Sequence, residues 1–133
     1  MPNPTDGCLG LGEIFLKHIY SGQANPWALT AAISGAHTLG SATIANSGFD
    51  GFWSDSGAQG QFNNDYFKSM IAKGWTTQLS VNGVSGKNQW ARADRGRTNN
   101  HKEMMLDTDI CLAYRHTEDL NQGNASGAFL LAG

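Results

Sequence analysis

Residues 31–53, AAISGAHTLGSATIANSGFDGFW, decide how this chain of 133 residues is interpreted. The stretch places His37 among small residues near the end of a predicted helix, and a glycine-rich turn then leads to Trp53. Glycine is unfavourable inside helices, yet four glycines lie between positions 35 and 51. Because glycine permits close approach to the backbone, the stretch predicts that another group comes very near the chain around the histidine.

The apolar pattern predicts two helices up to this histidine. Residues 11–20 carry apolar side chains at helical spacing, with His18 on the same face at the edge of the core and Gly22 as the stop. A second helix begins where Asn25 can cap it and Pro26 suits the first helical position. The side chains expected on its buried face are Leu29, Ala32, Ile33, Ala36 and Leu39 or Gly40.

A third helix is predicted over residues 63–74. Asn63 or Asn64 is expected to cap its first turn, and Gly74 is expected to end it. The side chains predicted to face inward are Tyr66, Phe67, Met70 and Ile71. This tract is therefore expected to supply an aromatic and aliphatic face to the core.

The rest of the chain predicts a small β-hairpin and a fourth helix. Asn82-Gly83, between alternating apolar positions, is typical of a type I′ turn that joins two strands. Asp107 or Thr108 is a cap candidate for the fourth helix. The apolar members of that helix are Ile110, Leu112, Ala113 and Tyr114. The sequence thus predicts a mainly α fold with a small β-hairpin, in one domain over residues 1–133.

Composition argues against two classes of partner. A net charge of −2 with only 15% charged residues does not favour nucleic-acid binding, and no stretch approaches the ~20 apolar residues of a membrane span. Cys8 and Cys111 are expected either to pair, tying one end of the chain to the other, or to remain two buried thiols. Together with a glycosylation sequon at Asn124, the two cysteines favour a secreted protein.

The chemistry of His37 suggests a cofactor. A single imidazole on a helix of small residues suits a flat, bulky group whose metal is held mostly by other atoms, and this combination indicates haem. Such a histidine donates its second ring N–H to a fixed acceptor. Asp109, in the first turn of a predicted helix, is the best acceptor, and the Trp53 indole is available for its other oxygen. Most lone histidines are packed in a core or face solvent, so that alternative stays open here.

The same residues carry a resemblance to a known family. Residues 31–53 resemble the proximal-histidine region of the plant, fungal and bacterial haem peroxidase superfamily, closest to its cytochrome c peroxidase and ascorbate peroxidase branch. The similarity continues through FNNDYFKSMIAKGW, NQW and EMMLDTD, in family order, from about residue 9 to about residue 114. Several matching blocks in order make this signal stronger than the hexapeptide GAHTLG alone.

The resemblance implies roles for individual residues. His37 would be the proximal ligand of the iron in haem b, and Asp109 would accept its N–H and push electron density toward the iron, with Asp107 as a rival acceptor. Trp53 would stack beside the histidine, contact the carboxylate and pass electrons onward, a plain core aromatic being the alternative. The residues that would press against the haem are Ser34, Gly35, Ala36, Leu39 and Gly40.

A cation on the same side of the haem is a further expectation from the resemblance. The matching ligands would be Thr38 and then Ser54, Asp55 and Ser56, whose oxygens suit Ca²⁺ or K⁺. Asn63 stands where the family commonly has an aspartate, so the segment carries less negative charge than the family pattern.

The half of the family fold that carries a distal arginine and histidine has no counterpart in this sequence. In that half the histidine moves the peroxide proton and the arginine stabilises the developing charge. The chain therefore resembles the proximal half alone, and the distal half is expected in the same precursor or in a separate chain. The activity implied is reduction of H₂O₂ with electrons from a donor that the sequence does not identify.

Three accounts of the chain stay open. It is a piece of a complete peroxidase, a split protein that needs a partner chain, or a peroxidase-like module with a structural or assembly role and no catalysis. The presence of His37, Asp109 and Trp53 at family positions argues against complete loss of the site. The branch it most resembles is often organellar, which is the alternative to secretion.

Overall fold

The computed structural model describes Pro4 and residues 7–55, 57–94, 102–115 and 130–131. The helices are α1 (Gly7–Leu11) with a π-helical continuation (Gly12–Ile19), α2 (Pro26–Ser34) with a 3₁₀ continuation (Gly35–Thr38), α3 (Ile44–Ser47), α4 (Asp65–Ala72) and α5 (Asp107–Ile110). The strands are β1 (Trp75–Gln78), β2 (Gln89–Arg92), β3 (Met104–Met105), β4 (Tyr114–Arg115) and β5 (Leu130–Leu131). The described part is dominated by helix, in agreement with the predicted class.

The first helix differs from its prediction at His18. Its side chain is 66% exposed and lies 3.5 Å from Glu13, so it does not pack at the edge of the core. The reason is the wider π-helical turn, seen in the bond from the Tyr20 N–H to the Phe15 carbonyl. With i→i+5 bonding, positions seven apart no longer share a face, and Leu11 is buried without His18.

The second helix starts as predicted and buries the opposite side. Asn25 Oδ1 accepts from the Ala28 N–H at 3.2 Å, and Pro26 is the first helical residue. The side predicted to be buried is exposed at Leu29, Ala32, Ile33, Ala36, Leu39 and Gly40, whereas Thr30, Gly35 and Thr38 are buried. The described chain packs on that second side, where a Cβ on Gly35 would lie 3.2 Å from the Phe67 ring.

The third predicted helix corresponds to α4. Asn63 Oδ1 accepts from the Asp65 N–H at 2.8 Å, so Asn63 rather than Asn64 provides the polar start. Tyr66 and Met70 are fully buried, as predicted. Ile71 is 58% exposed, contrary to the prediction. The helix ends at Ala72, two positions before the predicted stop.

The residues of the predicted hairpin lie in the connection between the first two strands of a three-stranded antiparallel sheet, in the order β1-β2-β3. Asn82 (φ 51°) and Gly83 (φ 79°) form the predicted type I′ turn, closed by the Val84 N–H on the Val81 carbonyl at 3.1 Å. That turn does not join the strands directly, because strand pairing ends at Gln78↔Gln89 and residues 79–88 form a longer connection. The left-handed Ser80 (φ 49°) ends the strand geometry before the turn.

The predicted fourth helix is only one turn, α5. Leu106 occupies the position before it, and the Asp109 carboxylate accepts the Leu106 N–H at 2.7 Å, so neither Asp107 nor Thr108 is the cap. The chain then turns into β4, which pairs with β5. The prediction of a helix through Tyr114 is therefore wrong, because Tyr114 pairs with Leu131 in an antiparallel sheet.

The core lies between α4, the sheet and α5. Its buried members are Phe49, Trp53, Tyr66, Met70, Trp90, Met104, Met105, Leu106 and Ile110. Cys8 and Cys111 form a disulfide that ties α1 to the end of α5. Among the described residues, none of the helices has the length and apolar character needed to cross a lipid bilayer.

Candidate functional site

The Asp109 carboxylate is the centre of the candidate site. Its Oδ1 accepts from His37 Nδ1 at 2.9 Å and from the Tyr66 hydroxyl at 2.8 Å. Its Oδ2 accepts from Trp53 Nε1 at 2.7 Å and from the Leu106 backbone N–H at 2.7 Å. A carboxylate offers about four acceptor positions, so these four donors use all of them. The side chain is therefore fixed in orientation at a position where it is only 3% exposed.

His37 lies in the 3₁₀ turn after α2, between two aromatic rings. The Trp53 indole is stacked on it, with ring centroids 4.2 Å apart and planes at 15°. Tyr66 meets it edge-on, at 5.7 Å and 85°. The imidazole is 38% exposed although Nδ1 is bound to a buried carboxylate, so its open edge is the one away from Nδ1.

The bond to Asp109 determines which imidazole nitrogen is free. An ionised carboxylate can only accept hydrogen bonds, so Nδ1 of His37 carries the proton of the bond. In the neutral ring the lone pair then lies on Nε2, the nitrogen that a metal ion can bind. The structure thus presents one oriented imidazole nitrogen at the open edge of the ring.

The glycine-rich turn explains how Trp53 reaches this carboxylate. Gly51 has φ +140°, and a Cβ there would lie 2.0 Å from the Lys102 carbonyl oxygen. The backbone of Phe52 bonds to both sides of this contact, donating to Lys102 and accepting from the Met104 N–H, each at 2.9 Å. The close approach predicted from the glycines is therefore made, at Gly51, by the chain's own backbone on the way to Asp109.

The residues predicted to contact a cofactor divide into two groups. Ala36, Leu39 and Gly40 are exposed and lie within three positions of the partly exposed His37. Gly35 is buried against Phe67, and the Ser34 hydroxyl donates to the Thr30 carbonyl at 2.8 Å. The structure brings the first group to an accessible surface and uses the second group for packing.

An apolar surface accompanies the histidine. We define the outer face of α2 by Leu29 and Ile33, together with Leu39 just beyond the 3₁₀ continuation; they are 38%, 53% and 42% exposed. Ile44, in α3, is also 42% exposed. Large exposed apolar side chains grouped on one element are typical of a surface that binds a ligand or another protein.

The predicted cation ligands are engaged with protein groups. The Thr38 hydroxyl donates to Asn63 Oδ1 at 2.9 Å, and the Ser54 hydroxyl donates to the Thr38 carbonyl at 3.3 Å. Asp55 is exposed and forms an ion pair with Lys73. Ser56 and the sequon at Asn124 lie outside the described residues. Among the described residues, no cluster of three or more His, Cys, Asp or Glu side chains is suited to a metal ion.

A buried ion network beside the site was not predicted. Glu103, 2% exposed, binds Lys73 at 2.7 Å and Arg92 at 2.5 Å, and accepts from the Ser69 hydroxyl at 3.1 Å. The network links α4 to β2 and to the strand that leads into α5. The positions of these charged residues in the sequence do not predict the network, because the residues belong to separate helices and strands.

Tyr66 is the site residue whose polar role the sequence did not indicate. Helical periodicity placed its ring inward, but the hydroxyl bond to Asp109 spans 43 positions. Burial, the negative charge of Asp109 and the hydrogen bond to it together hold the pKa of Tyr66 well above its usual value. Tyr66 therefore stays protonated and acts as a donor to the carboxylate.

Comparison with known proteins supports a peroxidase-like relationship. No family model matches the chain. A Gibberella zeae protein named "Putative heme-binding peroxidase" is 34% identical over 84% of this chain, and proteins of the same name from Pyricularia oryzae and Aspergillus fumigatus are each 31% identical over 84%. This chain covers 30%, 34% and 32% of those three proteins, so it spans about a third of the length of the relatives it matches.

Proposed function

We propose that this chain is the proximal part of a haem peroxidase, with His37 as the ligand of the iron in haem b. The observation that carries the proposal is the Nδ1–Oδ1 bond of 2.9 Å to Asp109, which leaves Nε2 of the ring for a metal. The three relatives named as heme-binding peroxidases point to the same chemistry. Together with a distal part, the chain would reduce H₂O₂ with electrons from a separate donor.

The surroundings of His37 fit a haem. A haem brings its own four nitrogen ligands and needs one axial imidazole, and one oriented imidazole is what the site offers. The haem is also a large apolar plate, and the outer face of α2, on the helix that leads into the His37 turn, carries three partly exposed apolar side chains. Covering that face with an apolar group would remove it from water, at about 25 cal/mol for each Å² covered.

Asp109 and Trp53 have separate tasks beside His37. Asp109 holds His37 in one tautomer and raises the basicity of the ligand nitrogen, as a carboxylate partner does for metal-bound histidines. Trp53 lies flat against the imidazole and donates to Asp109, so it fixes the rotation of the ring and is the side chain we propose to relay electrons. When bound, the haem would supply the redox chemistry that converts H₂O₂ to water with two electrons and two protons.

The acid–base groups of the reaction would come from the distal part. About two thirds of each relative has no counterpart in this chain. We propose that the distal part, from the same precursor or from a separate chain, covers the outer face of α2 and completes the cofactor site. The Cys8–Cys111 disulfide supports an oxidising compartment, and we propose secretion with an organelle as the alternative.

The proposal does not extend to a bound Ca²⁺ or K⁺. Asp55 would be the anionic ligand of such a cation, and the Lys73 ammonium already pairs with it. The Thr38 hydroxyl is directed to Asn63. A cation would have to compete with a positive charge that is part of the chain.

A structural or assembly role without catalysis is the second candidate. It is favoured by the large apolar side chains exposed on the outer face of α2, which are typical of a surface that binds another protein. In that case the outer face of α2 would contact a protein rather than a cofactor. The two functions differ in whether His37 binds iron.

Haem binding is the decisive test. The purified chain is titrated with haemin, and the Soret band is followed for the unmodified chain, His37→Ala and His18→Ala. His18 is the matched control, because it is an exposed histidine on a helix outside the site. We expect a saturable Soret change in the unmodified chain and in His18→Ala, and its loss in His37→Ala. Equal binding by all three would reject the ligand assignment, and absence of binding in the complete native assembly would favour the structural role.

A further inference from the structure

We infer that Tyr66 is a positioning residue. Its hydroxyl limits how much electron density Asp109 donates to His37 through their hydrogen bond. The hydroxyl of Tyr66 and Nδ1 of His37 bind the same oxygen, Oδ1, at 2.8 Å and 2.9 Å. This inference rests on the proposed function where iron is concerned. The competition for Oδ1 itself is a property of the chain without haem.

The geometry makes the two donors direct competitors. Tyr66 is fully buried and lies edge-on to the His37 ring, and both donors bind the one oxygen Oδ1. A hydrogen bond to an ionised group is about twice as strong as a neutral one. Each donor draws charge from the shared oxygen, and removing one donor leaves more charge for the other. The Tyr66 bond therefore weakens the His37 bond, while the bonds from Trp53 and Leu106 act on Oδ2.

The hydroxyl is separable from the packing of the ring. The Tyr66 ring packs edge-on against Phe67, with centroids 4.8 Å apart, and a phenylalanine at position 66 would keep that contact. The hydroxyl adds the bond to Asp109. A purely structural tyrosine would alter stability when its hydroxyl is removed, but it would leave the strength of the bond between His37 and Asp109 unchanged.

The test compares Tyr66→Phe with Tyr114→Phe in the haem-free chain. Tyr114 is the matched control, because its hydroxyl donates to the Met70 carbonyl. The NMR signal of the His37 Nδ1–H proton reports the strength of its hydrogen bond. We expect this signal to move downfield in Tyr66→Phe, as the bond to Asp109 strengthens, and to stay in place in Tyr114→Phe.

A second variant covers the case in which Tyr66→Phe does not fold. Site-specific 3-fluorotyrosine at position 66 keeps the ring and the hydroxyl and makes the hydroxyl a stronger donor. We expect the His37 proton to move upfield in this variant. No movement in either variant, or the same movement in Tyr114→Phe, would overturn the inference.

The iron provides an independent readout once haem is bound. In the reconstituted protein, Tyr66→Phe should raise the frequency of the iron–histidine stretch and lower the midpoint potential, because His37 becomes a stronger donor. If the complete native assembly fails to bind haem, the proposed function fails, while the proton signal of the haem-free chain still decides the role of Tyr66.

Discussion

Asp109 and His37 lie 72 positions apart in the sequence and are joined by a hydrogen bond of 2.9 Å. The carboxylate is 3% exposed and the imidazole 38%, so the bond connects the buried core to an accessible surface. The α5 turn holds one partner and the 3₁₀ turn after α2 holds the other. Any change to the carboxylate is therefore expected to alter the electron density at the open edge of the His37 ring.

Replacing Asp109 by asparagine should reverse the tautomer of His37. Trp53 Nε1 and the Leu106 N–H can only donate, so the amide oxygen should take the Oδ2 position and the amide NH₂ should take the Oδ1 position. That NH₂ would donate to Nδ1 of His37, which must then accept, and the ring proton would move to Nε2. We expect haem affinity to fall, with a loss of stability of roughly 1–3 kcal/mol from exchanging charged for neutral hydrogen bonds.

Nitrogen-15 NMR of the imidazole measures this change directly. Asp107→Asn is the control, since Asp107 lies in the same turn and its carboxylate accepts a hydrogen bond from Trp90 Nε1 at 2.7 Å. That variant should keep the Nδ1–H tautomer. An unchanged tautomer in Asp109→Asn would show that Asp109 does not govern the proton on the ring.

Removing the disulfide should destabilise the chain strongly. Cys8 and Cys111 are 103 positions apart, and closing a loop of that size contributes roughly 2–5 kcal/mol. We expect the urea midpoint to fall on reduction and to fall equally in the double variant Cys8→Ser, Cys111→Ser. Reductant should leave the double variant unaffected. Two reactive thiols in the untreated native chain would contradict the pairing.

Gly51→Ala should disrupt the turn that carries Trp53. A Cβ at position 51 would lie 2.0 Å from the Lys102 carbonyl oxygen, and φ is +140°, so both the contact and the backbone conformation are unfavourable. Strain of this kind costs about 1–3 kcal/mol before the contact is counted. The free energy of unfolding should fall, and the tryptophan fluorescence of the chain, to which Trp53 contributes, should change. Gly60→Ala is the control, because a Cβ there meets nothing within 4 Å, and an equal loss in both variants would refute this account.

Features governed by one or two neighbouring residues could be predicted from the sequence. Asn25 caps its helix, and Asn82-Gly83 forms a type I′ turn, because local backbone chemistry decides both. The buried face of α2 could not be predicted in the same way. Helical periodicity identifies an apolar stripe, but it does not say which other part of the protein covers that stripe.

The polar contacts of the site show the same division. The residue types and the family resemblance indicated His37, Asp109 and Trp53, and the structure brings all three together. The Tyr66 hydroxyl and the ion pair of Lys73 with Asp55 were missed, since both depend on how α4 is oriented against other elements. Sequence spacing within one helix carries no information about such distant partners.

Alkaline pH should remove a stabilising contribution of Tyr66. Its pKa is raised well above the ordinary value of 10.0, first by burial and then by the charge of Asp109 and the bond to it. Above about pH 10 the unfolded chain therefore loses a proton that the folded chain keeps, so fewer protons are bound in the unfolded state and stability falls as pH rises. The decrease is about 1.4 kcal/mol per pH unit for one proton.

The variant Tyr66→Phe isolates this contribution. It should be less stable than the unmodified chain at neutral pH, by roughly 1.5–3 kcal/mol for a lost bond to a charged group. The difference should shrink between about pH 10 and pH 11, because only the unmodified chain has the Tyr66 proton to release on unfolding. Urea unfolding at several pH values measures both chains. A difference that stays constant with pH would mean that Tyr66 titrates alike in the folded and unfolded states, which its burial beside Asp109 argues against.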